Sequence, residues 1–259
     1  MADPRPQRPS LPQGLLPLAV AGLAAALVAQ MVARDARYWV PLLALLAWLI
    51  VPAILGRMRV RRLLMSGDVE QLINSWQGSL GPGPRANTIT PLVRATAYAA
   101  YGWTEAARRA LNRVEPGPAW DAALEQRMFV EALLDAFEGD RESAICKAAT
   151  LEAMPMSAAG PLARRRVHLL RRGLAALTRA FAHTSQGGDS GLLAKAAKAS
   201  PLVYWAMRYA AAIVAVDGGR VRDVAGLLSD APQWPAESAF REYHDELLAR
   251  AGLASKAAV

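Results

Sequence analysis

The chain has 259 residues, 53% of them hydrophobic, with a mean hydropathy of +0.14, a formal charge of +8 and a sequence pI near 10.1. That length admits one large domain or two smaller ones. The single cysteine, Cys146, excludes an intrachain disulfide and agrees with a reducing compartment. The charge does not indicate nucleic acid, because residues 1–62 hold eight arginines against Asp3 and Asp35, leaving only +2 for residues 63–259.

Residues 1–13, MADPRPQRPSLPQ, lack core-forming side chains and are expected to be a disordered Pro/Arg tail. Two apolar runs follow, GLLPLAVAGLAAALVAQMVA over 14–33 and VPLLALLAWLIVPAILG over 40–56, joined by RDARYW. A bilayer-crossing helix needs about 20 apolar residues, with roughly 17 tolerated, so the runs predict a transmembrane helical hairpin over 14–56. A cleaved signal peptide fits less well, because the first run exceeds the usual stretch of about 7–15 residues. Met31 also stands where a small residue should precede cleavage. Arg57, Arg59, Arg61 and Arg62 after the second run place both termini on the cytoplasmic side by the positive-inside rule. The 26 Arg to 4 Lys bias and abundant alanine are associated with GC-rich bacterial genomes, so the expected location is a bacterial inner membrane.

Beyond Arg62 the chain reads as all-α: Val, Ile and Thr are sparse, and no apolar/polar alternation is sustained. Glycines at 67, 102, 139, 188 and 219 punctuate it at spacings of 35, 37, 49 and 31 residues. Glycine ends a helix in the left-handed conformation, and an aspartate beside it, as at Asp68, Asp140 and Asp189, can cap the next one. Five residues after each glycine stands a small or aliphatic residue, Leu72, Ala107, Ala144, Leu193 or Val224, suited to face the preceding helix. Prolines 82, 116, 155, 201 and 232 close the second helices. Periods of this length mark helix-pair repeats.

ATAYAAYGWTEAARRALNRVEPGP and LLDAFEGDRESAICKAATLEAMP carry this grammar best. In them the chain resembles the tetratricopeptide-repeat family, although the family's helix-A tryptophan and Leu-Gly pair are not recognisable. The resemblance implies a TPR-like α-solenoid of helix pairs over 57–259, facing the cytoplasm. An irregular helical bundle fits the same pattern. Such solenoids offer a groove to a peptide or helix of another protein, with Tyr98, Tyr101, Arg127, Tyr204 and Arg208 as candidate lining.

Catalysis finds little support. His168, His183 and His244 are far apart in sequence, and no phosphate-binding, nucleophile-elbow or dinucleotide motif occurs. Cys146 is expected to be a buried structural thiol. No catalytic residue, cofactor or metal site is therefore assigned, and the chain is not expected to be an enzyme.

The overlong fourth unit holds the one unusual feature. A helix from Pro161 to about Ser185 places Arg164, Arg165, His168, Arg171, Arg172 and Arg179 within an arc of about 120°, apart from the stripe of Val167, Leu170, Leu174, Leu177 and Phe181. A solvated face accounts for this stripe, and so does contact with a partner or with anionic lipid headgroups.

The function these features predict is a membrane-anchored adaptor that holds a partner protein at the cytoplasmic face. The alternative is a structural subunit of a larger membrane complex that meets its neighbours through the hairpin, where Gly22, Ala25, Ala26 and Ala29 allow close approach.

Overall fold

The computed structural model describes residues 39–77, 86–156 and 160–252. Among them every regular element is a helix. The expected tail 1–13, the first apolar run 14–33 and Pro82 lie outside the described residues.

Helix α1, Trp39–Met65, takes up the second apolar run. Among the described residues no helix is long and apolar enough to cross a membrane, so the expected transmembrane hairpin and integral-membrane location are withdrawn. The uncharged stretch of α1 is 18 residues, about 27 Å at 1.5 Å per residue, against a hydrocarbon core of about 30 Å. Pro52 stands inside the helix, and four arginines occupy its last third. Several of its apolar side chains face solvent nonetheless: Leu43, Trp48, Ile50, Val51, Ile54, Leu55, Met58 and Val60 are all exposed. The chain divides into two compact units between Val60 and Arg61.

The unit from Arg61 onward is built on the glycine hinges. The end of α1 and α2 (Val69–Gln77) meet at Gly67; α3 (Ala86–Ala100) and α4 (Thr104–Leu111) meet at Gly102. A single short turn, α5 (Pro118–Ala122), precedes the pair of α6 (Leu124–Glu138) and α7 (Arg141–Ala153) at Gly139. Then come α8 (Pro161–Phe181) with α9 (Asp189–Ala199) at Gly188, α10 (Tyr204–Asp217) with α11 (Val221–Leu228) at Gly219, and the single α12 (Ala239–Arg250).

All five hinge glycines have positive φ, from 71° to 98°. At Gly139 the left-handed backbone caps α6, and the next amide, of Asp140, donates to the carbonyl of Asp135. The Asp140 carboxylate in turn accepts from the amide of Ser143 and starts α7. Stop and start thus occupy two residues. Asp68 caps α2 in the same way through the amide of Gln71. Leu72, Ala107, Ala144, Leu193 and Val224, each five residues beyond a hinge, are all buried.

First helices α3, α6, α8 and α10 pack side by side, and second helices α7 and α9 also pack on the first helix of the following pair. This is consistent with an α-solenoid. Helix α10 is buried almost all round, which explains its lack of a polar face. Gly173 in α8 marks a close approach of α8 to α9 within their pair, because a Cβ there would stand 2.5 Å from the Cβ of Ala196.

One segment departs from a plain stack. Residues 229–250 return across the hinge ends of the first helices. Ser238 caps α12 and donates its hydroxyl to the carbonyl of Tyr101 (2.6 Å), and the amide of Ala239 donates to the carbonyl of Gly102 (2.9 Å). Phe240 is fully buried, stacked on Tyr209 at 4.8 Å and edge-on to Phe137 at 5.3 Å. Trp234 fills the space between Trp205, Tyr209 and Phe240. The chain's own aromatic residues therefore cover the hinge ends of the first helices.

Candidate functional site

The predicted arginine face splits in two. Arg164, Arg165, His168 and Arg172 are exposed on the first half of α8, where Arg166 and the 81%-exposed Leu162 join them. Arg171 is instead buried. Its Nε and Nη2 reach Glu125 at 3.0 Å, and its Nη1 donates to the carbonyl of Met154 at 2.6 Å. Arg179 is bidentate to the buried Asp189, with contacts of 2.6 and 3.1 Å. These two arginines are committed to fold contacts, and the six-residue site reduces to four exposed members. The cause is local. In the first three turns α8 is exposed on most sides, whereas from Arg171 onward neighbouring helices surround it.

Asp189 differs from the capping residue expected at a Gly-Asp hinge. It accepts from the amide of Gln186 as well as from Arg179. Burial works against its charge, but Arg179 and the Gln186 amide prevail and hold the carboxyl below its usual range.

Asp135 behaves alike. It is buried and accepts from Lys147, Ser143 and Arg108, all at 2.7 Å. Burial opposes its ionisation, and these three donors outweigh burial, so its carboxyl also lies below the usual range. It ties α4, α6 and α7 together. Both carboxylates are fully engaged by donors and are in no position to shuttle protons. Cys146 is exposed, against expectation, because Ala144, Ala148 and Leu151 form the inward stripe of α7 and position 146 falls opposite it.

The candidate groove lining of first-helix residues does not form one surface. Tyr101 is buried with its hydroxyl donating to the carbonyl of Leu64, and Tyr98 stacks on Trp103. Tyr204 packs against Trp205, Arg208 donates to the carbonyl of Gly226, and Arg127 lies over Trp120.

Tyr204 and Arg208 do line a cavity of about 630 Å³, and a larger open groove lies at the seam between the start of α4 and the start of α12, with a volume of about 950 Å³. Trp103 and Phe137 line it together with six carboxylates, Glu105, Glu138, Glu237, Glu242, Asp245 and Glu246, against two guanidiniums, Arg109 and Arg241. Glu105 pairs with Arg109, Glu138 with Arg108 and Glu246 with Arg250. Among the described residues no cation lies within ion-pair distance of Glu237, Glu242 or Asp245. The buried indole Nε1 of Trp103 has no acceptor among them either. The sequence did hold a signal for this site in the acidic stretch REYHDE, 241–246. Its counterpart on α4 lies more than a hundred residues earlier, so the groove is a product of the fold.

A smaller cavity of about 440 Å³ lies between Phe129, Val167, Leu170 and Leu202, bordered by the Arg171–Glu125 pair. No group of three or more His, Cys, Asp or Glu residues that could hold a metal ion occurs among the described residues. No family model matches the chain, and neither does any curated protein or solved structure.

Proposed function

We propose that the unit from Arg61 onward is a TPR-like, non-catalytic scaffold that docks a partner protein, and that the acidic groove between α4 and α12 is its docking surface. The carrying observation is that groove, about 950 Å³ in volume and lined by six carboxylates against two arginines. Charge of one sign in a concave surface raises the local concentration of oppositely charged segments and speeds their capture. The half-buried Trp103, with the buried Phe137 behind it, supplies apolar area beneath the charged rim, the layout common to protein interfaces. The partner segment is accordingly cationic, rich in Arg or Lys with an apolar side chain between. The exposed end of α8, with Arg164, Arg165, His168 and Arg172, is a separate cationic surface for an anionic partner. The reading assigns no proton-transfer or bond-making step to any residue.

A fluorescent peptide of alternating Arg and Ala, titrated into the full chain at low ionic strength and followed by anisotropy, tests this. Binding should weaken at least about tenfold in a chain carrying Glu237→Gln, Glu242→Gln and Asp245→Gln, since each rim charge contributes modestly and the three act together. Equal binding by parent and variant, or none by the parent, removes the groove from the proposal.

A further inference from the structure

The acidic groove and the arginine end belong to opposite ends of one rod. Phe181, at the last turn of α8, packs edge-on against Phe137 at 5.2 Å, and Phe137 lines the groove. Arg172 lies 9 residues and Arg164 17 residues before Phe181 along the same uninterrupted helix. At 1.5 Å per residue the arginines stand roughly 14–26 Å away along the axis. The helix is rigid, so the chain cannot fold its own positive end into its own negative groove. A second copy can.

The two surfaces match in more than sign. The tip of α8 presents the apolar side chain of Leu162, ringed by Arg164, Arg165 and Arg166. The groove presents the half-buried Trp103, rimmed by Glu237, Glu242 and Asp245. The tip is moreover ill at ease alone. The first turn of α8 has no acidic residue, and its arginines crowd the positive pole of the helix dipole. Among the described residues no carboxylate pairs with Arg164, Arg165, Arg166 or Arg172. Carboxylates arriving at that end relieve both repulsions at once.

We infer that the chain associates head to tail with further copies of itself, the arginine end of α8 in one copy seating in the acidic groove of the next. The inference rests on the docking reading above and names its partner. Such an interface is heterologous: each copy keeps one surface free, so assembly proceeds until it closes as a ring or continues as a filament.

Sedimentation velocity of the full chain, in a non-ionic detergent that covers the exposed apolar side chains of α1, tests it. The weight-average mass should rise with protein concentration at low ionic strength and fall to one copy at about 0.5 M salt, where the screening length is only a few ångströms. Reversing the end (Arg164→Glu, Arg165→Glu, Arg172→Glu) or the groove (Glu237→Lys, Glu242→Lys, Asp245→Lys) should each weaken association at least about tenfold. A chain carrying both sets should associate again, because the signs once more match, and a merely misfolded variant would not recover. The inference is overturned if either single set leaves the mass distribution unchanged, if the doubly reversed chain stays as dissociated as each set alone, or if the parent is a single copy at low salt. In the last case, retained binding of the Arg-Ala peptide sinks the second-copy assignment alone, and its loss sinks the docking reading as well.

Discussion

The hydroxyl of Tyr243 donates to the backbone carbonyl of Phe137 at 2.7 Å, across 106 residues of sequence. Burial raises the Tyr243 phenol to about 12, so it remains a donor at every physiological pH. Beside it, Phe240 is wedged against Phe137, Tyr209 and Trp234. Removing the hydroxyl in Tyr243→Phe should lower unfolding stability by about 1 kcal/mol, and Phe240→Ala by about 3–5 kcal/mol through the cavity it leaves. Urea unfolding of the two variants measures both. A Phe240→Ala loss below that of Tyr243→Phe would mean that α12 is only loosely attached.

Asp135 carries three donors in a buried position. Asp135→Asn should cost about 2–4 kcal/mol, since Lys147 and Arg108 then keep their charges without the buried carboxylate. The folded carboxyl lies below its unfolded value near 3.9, so its contribution is complete above that pH and fades as pH falls toward the folded value. Acid unfolding followed by circular dichroism should show a shallower descent below about pH 4 in the variant than in the parent. Parallel descents would contradict the assignment.

His244 gives a second pH dependence of different origin. Tyr209 accepts from the Trp234 indole at 2.6 Å, so its own hydrogen goes to Nδ1 of His244 at 3.0 Å. That ring nitrogen must stay unprotonated, and burial lowers the pKa of the imidazole. The unfolded chain therefore binds the proton more readily. The stability is complete above an unfolded pKa of about 6.5 and declines as pH falls through it toward the folded value. Thermal melts between about pH 7 and pH 5 should fall more steeply for the parent than for His244→Gln, and identical slopes would exclude this histidine as the cause.

Two glycines should respond with opposite sign. Gly173→Ala places a Cβ 2.5 Å from that of Ala196 and should destabilise by about 1–3 kcal/mol. Gly191, inside α9, has open space around it, and Gly191→Ala should stabilise by about 0.5–1 kcal/mol through helix propensity. Melting temperatures that move the same way would refute the close approach of α8 and α9.

Adjacent arginines in α8 should also part company. Arg171→Ala strands Glu125 and the carbonyl of Met154 and should cost about 2–4 kcal/mol, while Arg171→Met, which fills the volume, should cost less. Arg172→Ala should stay within about 0.5 kcal/mol. Chemical denaturation separates them directly.

The contrast between those neighbours explains how far the sequence could be read. The hinges were legible because a glycine with positive φ and an aspartate cap act within a few residues: Gly139, Asp140 and Ser143 need nothing from afar. The buried positions five residues on were legible for the same reason. Arg171 was not, because its partner Glu125 stands 46 residues away and only the packed fold brings them together. Cys146 was misplaced because its apolar neighbours allowed two faces for α7, and Lys147 turning inward to Asp135 selects the other one. The apolar run 40–56 met the residue count for a bilayer span only at its lower limit, and the helix that contains it changes character at Arg57. The acidic groove joins helices that the sequence keeps far apart, so it came into view only with the fold.

The return of the last helix also sets a clock on synthesis. A ribosome adding about 5–20 residues per second needs roughly 5–20 s to pass from Phe137 to Tyr243. Over the last 62 of those residues, once Phe181 has been made, the hinge ends of α6 and α8 are complete but uncovered, and the nascent chain displays Phe137 and Phe181 to whatever is nearby. Its most adhesive moment comes late in translation, after most of the helices exist and before the one that shields them has been made. That is the window in which a chaperone would find its binding site and in which two neighbouring nascent chains would exchange their last helices.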